Sequence, residues 1–325
     1  MLHSRRKQRK PFNLFSEGAI EDKESKVSSN NNLPIERQAK LAEVLNSLLQ
    51  HVAKGQQQKA EAILECYPEL LLEAGTVKDY SDRMIESVTP FELAYGADDL
   101  EMCQMMLPYF YILKDGRTQA LQQIQTFAKS NEAKPYDFSS LVAAFSTNQN
   151  VEAALEKFRD DFKPGLIKKG QKHFNIQILL EAFRLFEDNK LNFKSWRLFY
   201  IQVIGYLQRM LPACYAQAFS QGLFNVTQLG LPLERTFTLY SVVGGNHNAI
   251  FFPLDLNPRL RLGFDCTVHS GASSGQKGFC GELVNYSVCV PRDTLQAYVD
   301  VKFQGLLDLI STLQSQNRMR DPMRC

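Results

Sequence analysis

The chain has 325 residues, of which 44% are hydrophobic and 11% aromatic, and this composition excludes a wholly disordered protein because it supplies enough apolar surface for a packed core. With 37 Lys and Arg against 35 Asp and Glu, the formal charge is only +2, so bulk electrostatics gives no argument for nucleic-acid binding. No apolar run approaches the roughly 18 to 20 residues that a membrane-spanning helix needs. We therefore expect a globular protein without a membrane span.

The two ends of the chain are polar. Residues 1–34 begin with a basic cluster and continue with mixed charges, serines and asparagines, without the apolar stretch of a secretory signal peptide. Such a segment buries too little apolar area to offset its ordering entropy, so we expect a disordered tail there, and a second polar tail over 316–325. The seven cysteines are odd in number and include no CxxC pair, which favours reduced thiols over a disulfide framework.

Residues 35–115 have helical periodicity and contain one ankyrin-like unit at 89–107. Thr89 supplies an N-cap and Pro90 occupies the first helical position. A polar turn follows, and a second helix then ends in consecutive apolar residues. This pattern predicts a pair of antiparallel helices.

A weaker copy of the same pattern lies at residues 48–64, with Gly55 in its turn. The two turns, at Gly55 and Asp98, are farther apart than the roughly 33 residues of a regular ankyrin repeat, so we expect residues 66–88 to be an insertion, which is polar and turn-rich over Gly75 to Ser87. Two copies are too few for a free-standing solenoid, because each unit buries its apolar face only against its neighbours.

The remaining chain divides into two parts. Residues 116–229 keep the helical period and predict a helical bundle. Residues 230–315 change to short β-branched and aromatic runs, which predict a small antiparallel β-rich part closed by a helix. The predicted strands are Thr236–Val243, Ala249–Pro253, Arg261–Val268 and Leu283–Val290, and the closing helix carries Leu306, Leu307, Leu309, Ile310 and Leu313. The expected fold class is α+β, mainly α, with ankyrin-like helical pairs at the N-terminal end.

Five segments carry a family resemblance. They are Lys172–Asn175, Leu198–Arg209, Leu211–Phe219, Phe251–Leu254 and Leu262–Asp265. Together with the ankyrin-like start, they resemble a family of ankyrin-repeat-like proteins from Legionella and related intracellular bacteria, over roughly residues 40 to 315. Many members are known or suspected substrates of the Dot/Icm type IV secretion system. The resemblance implies an effector made in the bacterial cytoplasm and acting in the host cytoplasm, where ankyrin-like surfaces bind host proteins.

Several cysteines and histidines near the C-terminal end are candidate metal ligands. The set is Cys266, His269, Cys280, Cys289 and His247. Four such ligands could form a tetrahedral zinc site. However, Cys266 and His269 lie three positions apart in a predicted strand and should point to opposite faces, so we predict no metal and no cofactor.

Cys280 is the candidate nucleophile of the alternative function. It stands between Gly278-Phe279 and Gly281, with His269 and Asp265 upstream. A thiolate nucleophile needs a base within hydrogen-bond reach, and flanking glycines would admit a substrate to the backbone. This arrangement would suit a cysteine-dependent hydrolase or transferase.

The first hypothesis is instead a non-enzymatic protein–protein interaction module with a host protein as partner, its oligomeric state left open. In ankyrin pairs the turns and inner helix usually face the partner. The candidate contact residues are Gln57, Tyr95, Asp98 and Asp99 in the two turns, with Tyr80 and Asp82 in the insertion. Tyrosine flanked by aspartate is a plausible hot-spot composition.

Overall fold

The computed structural model describes residues 35–129, 135–163, 165–188, 195, 198–221, 223–235, 238–240, 248–250 and 291–318. Within these ranges the fold is mainly helical with a small three-stranded sheet, in agreement with the expected α+β, mainly α class. No helix in the described ranges has the length and apolar character needed to cross a membrane.

The N-terminal region (residues 35–115) begins with the helices that the periodicity predicts. Its elements are α1 (Ile35–Ala53), α2 (Gln57–Leu64), a 3-10 turn (Pro68–Leu72), β1 (Gly75–Lys78), β2 (Met84–Val88), α3 (Pro90–Gly96) and α4 (Leu100–Ile112). Thr89 caps α3 in a full capping box, in which its hydroxyl accepts from the Glu92 amide and the Glu92 carboxylate accepts from the Thr89 amide. Asp99 caps α4 through the amide of Met102. The predicted start of this helical pair is confirmed.

The insertion contains regular structure that the sequence analysis missed. β1 pairs antiparallel with β2, and β2 pairs in parallel with the two-residue strand β3 (Leu166–Ile167). Val77, Ile85 and Ile167 are buried on one side of this sheet, while Met84 and Leu166 are exposed. The expectation of a turn-rich segment over 75–87 was therefore wrong in part, because strands of two to five residues are too short for alternation to stand out from the surrounding polar residues.

The rest of the described chain is helical apart from one short strand pair. The helices are α5 (Gly116–Gln125), α6 (Ser139–Thr147), α7 (Val151–Asp161), α8 (Ile176–Asp188), α9 (Gly205–Arg209), α10 (Ala213–Gln221), α11 (Leu223–Thr227) and α12 (Pro291–Arg318). A 3-10 turn (Thr126–Lys129) follows α5, and a π-helical turn (Tyr200–Ile204) precedes α9. The strands β4 (Thr238–Tyr240) and β5 (Asn248–Ile250) pair antiparallel.

The C-terminal prediction agrees with the structure at its closing helix. The predicted strands Arg261–Val268 and Leu283–Val290 lie outside the described residues. The closing helix is confirmed, but it begins at Pro291, well before its predicted apolar residues, and continues to Arg318, past the expected start of the polar tail at 316.

Helix α12 connects two separate hydrophobic cores. Leu295 and Tyr298, near its N-terminal end, pack in the core built from α6 to α11. Leu306, Leu309 and Leu313, farther along, pack in the core built from α1 to α5. A single helix thus buries one face against both cores, which fixes helices α6 to α11 beside α1 to α5.

Gly55 provides a direct test of how closely these parts fit. Its φ of +62° lies in the left-handed region, and an added Cβ would stand 2.8 Å from Nε2 and 2.9 Å from Oε1 of Gln217 on α10. Gly230 has the same φ of +62° with no atom within 4 Å of the added Cβ. We expect Gly55→Ala to lower the free energy of unfolding by about 2–4 kcal/mol, and Gly230→Ala by only about 1–2 kcal/mol, because the second variant has backbone strain without a clash. Urea unfolding of both variants measures the difference, and equal losses would contradict the close fit.

Candidate protein-binding surface

The six predicted contact residues fall into two sets with different surroundings. Gln57 and Asp99 contact Arg235, which follows α11. Tyr80, Asp82, Tyr95 and Asp98 are half-buried. The first set bonds to Arg235, whereas each member of the second set keeps part of its surface exposed.

Asp99 is buried, with 3% of its surface exposed, so the expectation that it lies on an exposed turn was wrong. Its two carboxylate oxygens accept hydrogen bonds from Arg235, one from Nη1 at 2.9 Å and one from Nη2. Burial alone would lower the pKa of Arg235, but the adjacent Asp99 carboxylate raises it above its usual value. The pair is a bidentate, nearly dry ion pair, the geometry in which arginine and carboxylate interact most strongly.

The turn at Gly55 is covered from within the chain. Gln217 on α10 donates to the Gly55 carbonyl at 3.0 Å and accepts from Nη1 of Arg235 at 3.1 Å. Nε of Arg235 donates to Oε1 of Gln57 at 2.9 Å. Gln57 is half-buried and already hydrogen-bonded, so it serves an internal contact in this conformation.

Cys214 and Lys302 extend this internal contact to the other turn and to α12. The thiol of Cys214 donates to the Ala97 carbonyl at 3.4 Å, and burial raises its pKa well above the usual value. Lys302 is 2% exposed and pairs with Glu101 in the first turn of α4. The turns at Gly55 and Asp98 therefore contact α10, Arg235 and α12 of the same chain.

The hairpin loop of the insertion is ordered by Asp79. Its Oδ1 accepts from the amides of Ser81 and Arg83 at 2.8 and 3.0 Å, and its Oδ2 lies 2.8 Å from Nη2 of Arg83. Asp82 adopts a φ of +64° at the tip and pairs with Lys78 at 2.8 Å. These short-range bonds fix the loop that carries Tyr80 and Asp82.

Arg83 attaches this loop to the rest of the protein. Its side chain is buried, and it donates to the carbonyl of His173 and, at 2.7 Å, to the carbonyl of Met210. Sequence reasoning missed Arg83, because one arginine in a polar loop carries no signal that it will be buried. The bond to His173 places the hairpin loop beside the segment that contacts the α3–α4 turn.

Lys172 makes that second contact. Its ammonium group donates to the Tyr95 carbonyl at 3.0 Å and pairs with the Asp98 carboxylate. The same group lies 4.3 Å from the centre of the Tyr95 ring and 5.7 Å from that of Phe127. Burial raises the pKa of Tyr95 to about 12, so its hydroxyl stays neutral at physiological pH.

His173 is a packing residue. Its amide donates to the Gly96 carbonyl at 2.9 Å. Its ring is buried against Gly96, where an added Cβ would stand 2.6 Å from the His173 Nε2 atom. Burial, with Arg83 and Lys172 nearby, lowers the pKa of His173 to about 3. The ring is therefore neutral at physiological pH.

The residues of the alternative hypothesis have no structural account. Cys280, His269 and Asp265 lie outside the described residues, as do Cys266, Cys289 and His247. Among the residues that the structure describes, no group of three or more His, Cys, Asp or Glu side chains is arranged to hold a metal ion.

Comparisons with protein-family models, with curated proteins and with solved structures return no match for this chain.

Proposed function

We propose that this chain is a non-enzymatic protein–protein interaction module of the bacterial effector type, which binds a host protein through one surface. That surface, called here the hairpin–turn surface, consists of Tyr80, Asp82, Tyr95, Asp98 and Lys172. The observation that carries the proposal is the buried Arg83, which bonds the hairpin loop to His173 while the neighbouring Lys172 bonds the α3–α4 turn.

The hairpin–turn surface has the composition of a contact site. It contains two half-buried tyrosines, two half-buried aspartates and an exposed lysine, so it combines aromatic area with both signs of charge. The backbone under them is held by side-chain bonds from Asp79, Arg83 and Lys172. A surface that is already ordered loses little conformational entropy on binding, which favours affinity.

Capture from host-cell lysate by the full chain tests this function. The surface variant is Asp82→Asn with Asp98→Asn, because both aspartates have positive φ, which asparagine tolerates. The control variant is Asp160→Asn with Asp308→Asn, which makes the same charge change at exposed positions on α7 and α12. We expect the wild type and the control to retain one partner in stoichiometric amount, and the surface variant to retain at least about tenfold less.

Equal capture by the surface variant and the control would contradict the hairpin–turn surface. Absence of any stoichiometric partner of the wild type would contradict the proposed function itself. Circular dichroism and thermal unfolding of both variants show whether a loss of capture follows from a loss of fold.

A further inference from the structure

The side chain of Lys172 occupies a site with the chemistry of an ammonium receptor. The rings of Tyr95 and Phe127 have their centres 5.0 Å apart at an interplanar angle of 60°, and both face the ammonium group of Lys172. The Asp98 carboxylate and the Tyr95 carbonyl supply two hydrogen-bond acceptors. Aromatic faces combined with a carboxylate are the features by which proteins recognise organic ammonium ions.

The walls of this site are held in place independently of Lys172. Phe127 is 7% exposed, and Tyr95 packs against the core built from α1 to α5. Asp98 is in the turn whose next residue, Asp99, caps α4 and binds Arg235. The receptor groups should therefore keep their positions when the lysine side chain is removed.

Lys172 is the part of the site that is least enclosed. Its side chain is 38% exposed, whereas that of Asp98 is 21% exposed. It belongs to the segment that connects β3 to α8, so its side chain reaches the rings of Tyr95 and Phe127 from outside the α3–α4 pair. An ammonium group from solution or from another protein can approach from the same side.

We propose that Tyr95, Phe127, Asp98 and the Tyr95 carbonyl form a binding site for a primary alkylammonium group, which Lys172 fills in cis and a lysine side chain of a partner protein fills by displacing it. The source of that lysine rests on the proposed function, whereas the site itself does not. Because both acceptors require N–H donors, the site should prefer a primary ammonium over a quaternary one. Competition with the tethered Lys172 would weaken the apparent affinity of the intact protein.

Binding of n-butylammonium, which has the four carbons and the ammonium group of a whole lysine side chain, to Lys172→Ala tests the site. We expect saturable shifts of the Gly96 and Asp98 amide resonances with a Kd on the order of 10 mM, the range expected for so small a ligand. The wild type should bind the same probe at least about tenfold more weakly, because Lys172 occupies the site. Tetramethylammonium, which has no N–H donor, should also bind the variant more weakly.

Two control variants separate the site from general charge effects. Lys172→Ala with Asp98→Asn should lose the response to butylammonium, because it lacks the carboxylate. Lys163→Ala removes another lysine paired with an aspartate, at 2.7 Å from Asp160 and at the surface, and should leave the weak wild-type response unchanged.

No saturable binding by Lys172→Ala, or equal binding of tetramethylammonium, would overturn the proposal. If Lys172→Ala does not fold, the wild type provides the second measurement. The Cε resonance of Lys172, shifted by the ring current of Tyr95, should move toward its random-coil value as butylammonium displaces the side chain, and an unchanged resonance at saturating amine would equally overturn it. Neither result depends on the capture of a host protein.

Discussion

Replacing Arg235 by alanine should lower the free energy of unfolding by about 3–5 kcal/mol, the cost of leaving a buried charge without its partner. The side chain of Arg235 is 11% exposed and that of Asp99 is 4% exposed. In the variant, the Asp99 carboxylate would stay buried with its cap on α4 but without a cation. Gln57 and Gln217 would lose their hydrogen bonds to the guanidinium as well.

The matched control is Arg184→Ala. Arg184 forms two ion pairs of 2.6 Å with Glu181 and Asp188, but its side chain is 44% exposed. Exposed pairs contribute little because water screens them, so this variant should lose less than about 1 kcal/mol. Urea unfolding of both variants measures the two losses of unfolding free energy. A loss for Arg235→Ala no larger than that for Arg184→Ala would show that the buried pair does not hold the α3–α4 turn against the segment after α11.

Arg235→Lys distinguishes charge from geometry at the same position. Lysine keeps the positive charge but cannot bind both carboxylate oxygens, Gln57 and Gln217 at once. We expect a stability between those of the wild type and Arg235→Ala. Full recovery by lysine would mean that charge alone matters there.

Acid should destabilise the protein through His173. The pKa of this buried histidine is lowered to about 3, from an unfolded value near 6.5. Between these two values the unfolded chain binds one proton more than the folded one, so stability is complete above about pH 6.5 and falls by about 1.4 kcal/mol for each pH unit below it. The total loss by pH 3 is on the order of 4 kcal/mol.

Urea unfolding of the wild type and of His173→Gln at pH 7.5 and pH 4.5 measures this effect. At pH 7.5 histidine is neutral in both states, so any difference there reports the packing of the ring against Gly96. On going to pH 4.5 the wild type should lose about 2–3 kcal/mol more than the variant. The same loss in both proteins would show that His173 does not remain neutral when the protein is folded.

Much of the fold could be predicted from the sequence where the signal is local. The Thr89-Pro90 start of α3, the apolar face of α1 and the apolar residues from Leu306 to Leu313 of α12 all follow from contacts within about four positions along the chain. The β1–β2 hairpin was missed because its strands have only four and five residues, and β3 was missed because it has two residues and pairs with β2 through a long connection. A pairing of that length leaves no pattern in the composition of either strand.

The contact residues show the same division. Asp98 and Asp99 are neighbours in a turn, and the sequence treats them alike, yet Asp98 stays at the surface with Lys172 while Asp99 is buried against Arg235. The partner of Asp99 is 136 positions away, and that of Asp98 is 74 positions away. Neither separation is set by a helix or strand repeat, so neither partner can be inferred from the residues around the aspartates.

The helical character of the chain, the capped start of the α3–α4 pair and the residue types of a contact surface follow from local features of the sequence. Which of those residues face solvent follows from the fold, because burial depends on α10, α12 and Arg235 folding back onto the turns. The fold also places Lys172 over Tyr95 and Phe127, which are far from it in the chain, and next to the Asp98 carboxylate of the proposed ammonium site. Capping and periodicity act over a few bonds, whereas burial and ion pairing depend on distances that exist only after the chain has folded.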